Sequence, residues 1–483
     1  MTKCLKNWRR NKVANVLETQ RVIETWNREA LPALEQFVRI PAKSPHFDPD
    51  WAANGHLDRA LELAAAFCQR HLPTAQVAIE RLEGRTPLLF VDLPGSDEAA
   101  GTVLLYGHLD KQPENSGWSD GLGPWQPVVR EGRLYGRGAV DDGYAVFSAV
   151  VAIAELQAAG LRHPRCVLVI ETCEESGSFD LPAYLDALAP RIGQPDLIVC
   201  PDAGCGTYDR LWNTTSLRGM ITGTLRVDVL REGVHSGDAG GVVPSSFRIL
   251  RQVLSRLEDP TTGRVLPGLC GVTIPDLRRQ QAEHAGAVLG DLTRDRYPFL
   301  RGVEAQSEDP AERILDRTWR AALEVVGAEG LPPVEAAGNV LRPFTATKLA
   351  LRLPPTADAD AVAEGLQALF SDDPPARARV RFEPDAVASG WAAPEPEAWL
   401  SEALEQASGA HFGAAPVHMG EGGTIPLLNW LGQRFPAAQY LVTGVAGPGS
   451  NAHGPDEFLH LDAARRLTAC LGEVLHALAG RPR

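Results

Sequence analysis

Four short apolar runs in this chain each lead into side chains that bind metal or move protons. GTVLLY (Gly101–Tyr106) runs into His108-Leu109-Asp110, and RCVLVI (Arg165–Ile170) into Glu171 and then Glu174-Glu175. DLIVC (Asp196–Cys200) runs into Pro201-Asp202, and Gln439–Val445 passes through a glycine loop to Asn451-Ala452-His453. Short apolar runs bounded by turn signals predict buried strands. Helical patterns lie between them at Gly143–Gly160 and Leu181–Leu188, after a first helix from about Gln20 to Arg39 that Pro41 stops and a second at Asp58–Leu72. Such alternation implies an α/β layer with a largely parallel central sheet flanked by helices. Ligands of such sheets collect at the carboxyl ends of the strands, so these groups can meet although they span most of the chain.

After about Leu217 the pattern changes. Thr222–Leu230, Thr347–Leu353 and Arg377–Glu383 alternate apolar and polar residues, the mark of a sheet with one solvated face. Helical segments fall at Ser245–Leu257 and Asp358–Phe370, and a Pro-, Gly- and charge-rich stretch covers Asp259 to about Asp309. AAPEP (Ala392–Pro396) reads as a return linker, after which α/β character resumes and closes on a helix at Asp462–Leu478. The expected organisation is a catalytic α/β domain over 1–214 and 394–483, interrupted by an α+β insertion over 215–393.

A formal net charge of −14 argues against nucleic acid or an anionic membrane as a partner, since both select basic surfaces. The one basic run, Lys3–Lys12, is read as a solvated start. No apolar stretch approaches the ~20 residues that span a bilayer, and no apolar segment follows the basic start as in a secretory signal. The eight cysteines form no CxxC pair, so reduced, mostly buried thiols in a cytoplasmic protein are expected.

Imidazole with carboxylate and no thiolate suits zinc or manganese, whereas calcium takes oxygen alone. In an extended His-x-Asp, the carboxylate can accept the second ring N–H and fix the tautomer that binds metal. Either signal alone is weak, because His-x-Asp pairs are often structural and paired glutamates often cap helices. Their recurrence after successive strands is what argues for a site. Asp141-Asp142 adds a further acidic pair at the start of a helix, where Asp142 is read as the cap.

YGHLDKQPE, GLGPWQPVVREGRLYGRGAVDDG, ETCEESGS, CPDAG, HSGDAGG, GEGGTIP and NAHGPDEF together resemble the carnosinase, aminoacylase and glutamate carboxypeptidase family of di-metal peptidases, and most closely its carnosinase-type dipeptidases. The motifs keep the family's order from about Leu31 to the C-terminus. The resemblance implies two divalent ions, zinc first with manganese or cobalt as alternatives, and a homodimer formed through the inserted lid. It implies metal ligands at His108, Asp141, Glu175, Asp202 and His453, with Asp141 shared and followed by a cis peptide bond. It implies Glu174 as general base, Asp110 orienting His108, and His235 reaching the neighbouring subunit's site. Arg352 then holds a substrate carboxylate, and Gly422, Gly423 and Thr424 line the substrate's end.

Two features depart from the family pattern. Gly143-Tyr144 stands where a lysine usually follows the paired aspartates, and Leu109 and Lys111 flank Asp110 where tyrosine and valine are common. Neither removes a ligand or the base. The implied activity is amide hydrolysis of dipeptides or other short peptides. An N-acyl amino acid deacylase on the same fold is the alternative, and a silent binding homologue is a more remote one.

Overall fold

The computed structural model describes residues 16–481, so the basic run Lys3–Lys12 and Cys4 lie outside the described residues. Contacts divide the chain into two units: Met1–Thr214, Ala393–His418 and Gln433–Arg483 form one, and Thr215–Ala392 with Met419–Gly432 the other. The sequence boundaries put everything after 393 with the first unit, whereas Met419–Gly432 groups with the second.

In chain order the first unit begins with a helical stretch at Thr19–Val38, widened at Trp26–Ala30. Then come helix α1 (His56–His71) and strands β1 (Gln76–Glu80), β2 (Leu88–Leu93) and β3 (Thr102–His108). Helix α2 (Tyr144–Ala158), β4 (Arg165–Glu171) and β5 (Leu197–Cys200) follow. The second unit contributes β6 (Gly219–Asp228), α3 (Ser246–Leu254), α4 (Asp276–Leu289), β7 (Ala322–Glu329), β8 (Phe344–Leu353), α5 (Ala359–Ser371) and β9 (Arg379–Ala388). The first unit resumes with α6 (Ala398–His411), β10 (Gln439–Val442) and α7 (Leu461–Gly480).

The sheet of the first unit has the order β1-β2-β4-β3-β5-β10. β3 pairs in parallel with both β4 and β5, and β10 in parallel with β5. β2 is antiparallel to both β4 and β1, so it alone runs against the rest. The carboxyl ends of β4, β3, β5 and β10 therefore lie side by side, and the β3–β4 register sets His108 opposite Glu171. α2 is buried on nearly every face from Tyr144 to Leu156, as a helix apolar all round must be. α1 buries Leu57, Ala60, Leu61, Ala64 and Cys68, a single stripe at helical spacing.

The second unit is built on the antiparallel sheet β7-β8-β6-β9. β6 alternates strictly between buried and half-buried residues. Its apolar face packs Ile221, Leu225 and Val227 against Ile249 and Leu250 of α3 and Leu366 and Phe370 of α5. Asp358 caps α5, its carboxylate accepting the N–H groups of Asp360 and Ala361 at 3.1 Å.

Two elements lie where the sequence pattern marks none, and one expectation changes. The Pro-, Gly- and charge-rich stretch from Asp259 to about Asp309 contains α4, which buries Ala282, Ala285 and Leu289 on one side; its polar, Gly-containing sequence hides that stripe. β7 buries Leu323 alone among its eight residues, so an edge strand left no alternation to read. Asp142 is not a helix cap: α2 follows Gly143 without a side-chain cap, and Asp142 has non-helical torsions and a buried side chain. Six of the seven described cysteines are buried. No described helix is long and apolar enough to cross a membrane.

Candidate metal centre

His108 is the last residue of β3 and is 1% exposed. Its Nδ1 lies 3.1 Å from the Asp110 carbonyl oxygen and 3.5 Å from Asp110 Oδ1. Its Nε2 lies 3.2 Å from Asp141 Oδ1 and 3.7 Å from Asp202 Oδ2. Asp202 arrives two residues beyond the end of β5, and Asp141 from the irregular turn Ala139–Gly143 ahead of α2. The other Asp141 oxygen, Oδ2, sits 2.8 Å from His453 Nε2, which is also 3.3 Å from Glu175 Oε2. Two metal-sized groups result, His108/Asp141/Asp202 and Asp141/Glu175/His453, each with its ligand atoms within 4.8 Å of one another. Asp141 belongs to both, one oxygen to each histidine. The peptide bond after it is cis.

Glu174 and Glu175 stand on a tight turn just past β4. The Asp110 carboxylate holds this turn by accepting the Glu174 N–H at 3.1 Å and the Glu175 N–H at 3.0 Å. Gln112 donates to Glu175 Oε2 at 2.5 Å. Behind the turn, the buried Glu171 carboxylate accepts Tyr106 Oη–H at 2.6 Å and Ser178 Oγ–H at 2.8 Å. His453 is the open side of the cluster, its side chain 55% accessible against 4% for Glu175.

Burial and mutual repulsion dominate the electrostatics of three of the acidic groups here. Burial raises Asp202 and Glu175 well above the usual carboxylate range, with Asp142 and Asp141 respectively adding repulsion. Burial pushes Glu174 up to about 7. For His108 burial acts downward, but its bonds to Asp110 and Asp141 outweigh it and hold the imidazole well above its ordinary value. The bond to Asp141 raises His453 to about 9. Divalent cations are the charge this donor set lacks.

Gly143 and Lys111, one residue from each departure, meet on Phe37. The Lys111 side chain is fully buried, and its Nζ donates to the carbonyls of Phe37, Val38 and Ile40 at 2.8, 3.3 and 2.8 Å. The ammonium also stands 3.9 Å from the centre of the Phe37 ring. The same ring shuts out any side chain at 143, where a Cβ would lie 2.2 Å from a Phe37 carbon. Lys111 thus satisfies the end of the Leu31–Val38 helix, and its stem occupies the space beside Gly138.

The second unit places the remaining expected residues. Arg352 on β8 donates to Thr424 Oγ1 at 3.1 Å, and Thr424 donates to the Arg218 carbonyl at 2.6 Å. A side chain at Gly422 would be tight, since a Cβ would meet Arg317 and Arg218 at 3.1–3.2 Å. Gly423 has open space around it. His235 is exposed on the short strand Val234–His235, which pairs with Val340–Leu341. Arg218, Gln112, Arg137 and Glu457 escaped the sequence reading. The last three lie within the resembling motifs, but only their hydrogen bonds reveal what they hold.

Residues 104–477 match the family described as Peptidase family M20/M25/M40. The chain belongs to this family. It is a metallopeptidase that depends on divalent metal ions. It is 30% identical to the cysteinylglycine-S-conjugate dipeptidase of Corynebacterium striatum over 367 residues, covering 74% of this chain and 77% of that one. It is 28% identical to the Beta-Ala-His dipeptidase of Homo sapiens over 351 residues, covering 70% and 68%. Among solved structures, human carnosine dipeptidase 1 shares the fold with a TM-score of 0.71 at 23% identity, over 95% of this chain and 98% of that one.

Proposed function

We propose that this M20/M25/M40 peptidase hydrolyses dipeptides at a centre of two divalent ions, zinc first among them. The observation that carries the reading is the shared Asp141, whose two oxygens face two separate histidine–carboxylate groups. The donors fit: imidazole and carboxylate with no thiolate, in a cluster where burial pushes Asp202 and Glu175 toward protonation. His108 and Asp202 would hold one ion, Glu175 and His453 the other, and Asp141 would serve both. Such ions, when bound, polarise the amide carbonyl and bring the pKa of water toward ~7.

Glu174 is the general base. Its burial places it at about 7, near the optimum for taking a proton at neutral pH and returning it to the leaving amine. Asp110 fixes the turn on which Glu174 stands and faces the Nδ1 side of His108. Arg352, with Gly422, Gly423 and Thr424, receives the substrate's free carboxylate, which limits substrates to short ones. The second unit forms a homodimer contact, and His235 of the partner subunit stabilises the developing oxyanion. The dipeptide class agrees with the relatives, named for cysteinylglycine conjugates and for Beta-Ala-His.

The test is a panel of dipeptides and matched N-acyl amino acids, assayed with zinc, manganese and cobalt added separately to chelated enzyme. Dipeptide turnover restored by metal is the expected result. Turnover confined to N-acyl amino acids contradicts it.

A further inference from the structure

The proposed ligands Asp141 and His453 stand on two turns far apart in sequence, and a buried ion pair joins those turns. Arg137 and Glu457 are 1% and 0% accessible, and Arg137 NH1 donates to Glu457 Oε2 at 2.5 Å. Each partner also reaches across to the other's backbone. Glu457 Oε1 accepts the N–H groups of Gly138 at 3.0 Å and Val140 at 3.3 Å, on the segment that ends in Asp141. Arg137 NH2 donates to the Gly454 carbonyl at 2.8 Å, next to His453, and its Nε donates to the Pro113 carbonyl at 3.2 Å.

The loop at His453 needs such support. Asn451, His453 and Asp456 have φ values of 52°, 66° and 57°, in the left-handed region that non-glycine residues seldom adopt. Local bonds account for part of the hold. Asn115 Nδ2 donates to the His453 carbonyl at 2.6 Å, the Ser119 N–H donates to Asp456 Oδ1 at 2.8 Å, and Asn451 donates to the Pro455 carbonyl. None of these reaches the Asp141 turn. On that turn Gly138 has φ +80°, and a Cβ there would strike the buried Lys111 stem at 2.7 Å, so the backbone can approach Glu457 only as glycine. A pair buried this deeply is weak evidence for stability as such, because desolvation offsets its attraction. Its backbone bonds to both turns give it another use.

We infer that Arg137 and Glu457 are positioning residues that set the distance between Asp141 and His453, and so govern affinity for the metal ion shared by Asp141, Glu175 and His453. The inference rests on the two-metal reading above. Outer-shell partners of metal ligands typically change affinity or activity about 10- to 100-fold when altered, and a loss of that size is expected at one of the two ions.

The experiment titrates zinc into the chelated full-length protein and resolves the two binding steps, alongside the thermal stability of each metal-free form. Glu457→Gln keeps the size and one acceptor but sets an amide N–H against the guanidinium. The double variant R137M/E457M removes both charges and so relieves the unpaired burial. In both, one step weakens about 10- to 100-fold while the other stays within a few-fold of the parent. Activity at limiting zinc falls, and excess zinc recovers most of it. A purely stabilising pair predicts instead that the apolar double variant restores parental stability and parental zinc affinity at both steps, and that outcome overturns the inference. Equal weakening of both steps also overturns it. If the unaltered protein takes up only one zinc, the two-metal reading itself has failed, which the parent titration shows independently of the variants.

Discussion

The Asp110 carboxylate binds the backbone beneath Glu174, Oδ1 accepting the Glu174 N–H at 3.1 Å while Oδ2 takes that of Glu175. The residue two positions after His108 therefore fixes the turn that carries the proposed base, besides facing the histidine. Asp110→Asn keeps the shape but exchanges one acceptor for a donor facing an N–H. A fall of about 10- to 100-fold in activity is expected, with the protein still folded by circular dichroism. Unchanged activity would show that the turn stands without Asp110.

Glu174 and Glu175 are neighbours with different surroundings. Glu175 faces His453 and receives Gln112, whereas Glu174 belongs to neither metal-sized group. Glu174→Gln should retain metal and lose rate by about 10²- to 10⁴-fold, the usual cost of removing a general base. Glu175→Gln should weaken metal uptake. Elemental analysis beside steady-state rates separates the two, and metal loss in the first variant but not in the second reverses the assignments.

The metal-free protein should lose stability as pH rises. Burial, with Asp110 beside it, raises Glu171 to about 8, so the folded state keeps a proton that the unfolded chain releases above ~4.3. Its contribution is present below ~4.3 and lost as pH climbs through about 8. His453, raised to about 9 by its bond to Asp141, acts in the same sense: full below ~6.5, lost through about 9. The depressed carboxyl of Asp141 acts oppositely, but only below ~3.9. Divalent metal needs deprotonated ligands, so the gain from added zinc should widen across the same window. Denaturant unfolding with chelator or zinc at about pH 5, 7 and 9 checks the sign, and Glu171→Gln should flatten the chelated curve between ~4.3 and 8.

Much of the first unit is legible because strands such as β3 and β5 are almost wholly buried and its ligands stand at or just past strand ends, His108 as the last residue of β3 and Asp202 two residues beyond β5. The resembling motifs carried the ligand assignments that strand position alone left open. What stayed hidden depends on contacts between distant segments. Nothing local marks Arg137 as the partner of Glu457, 320 residues away, or Lys111 as the cation that closes a helix beginning at Leu31. Asp142 was misread for the converse reason. An acidic residue just before a helix normally caps it, but this helix starts after a turn that buries the carboxyl.

His235 lies on an exposed two-residue strand of the second unit, not on the sheet that bears the metal ligands. If it serves the partner subunit, two inactive variants should complement one another. In a mixed dimer of Glu174→Ala and His235→Ala, one site has its own base and receives an intact histidine. Equal mixing with subunit exchange should restore about a quarter of parental activity. A histidine acting within its own chain restores none.

The central claim is that one carboxylate, Asp141, holds two metal ions that catalysis needs together. The most direct measurement is zinc stoichiometry, followed with dipeptide turnover during stepwise reloading of chelated enzyme, for the parent and for Asp141→Ala. The account predicts that the parent reaches full turnover only as it approaches two equivalents, and that Asp141→Ala holds neither ion tightly and stays inactive. Full turnover at one equivalent, or two ions retained without Asp141, would contradict it.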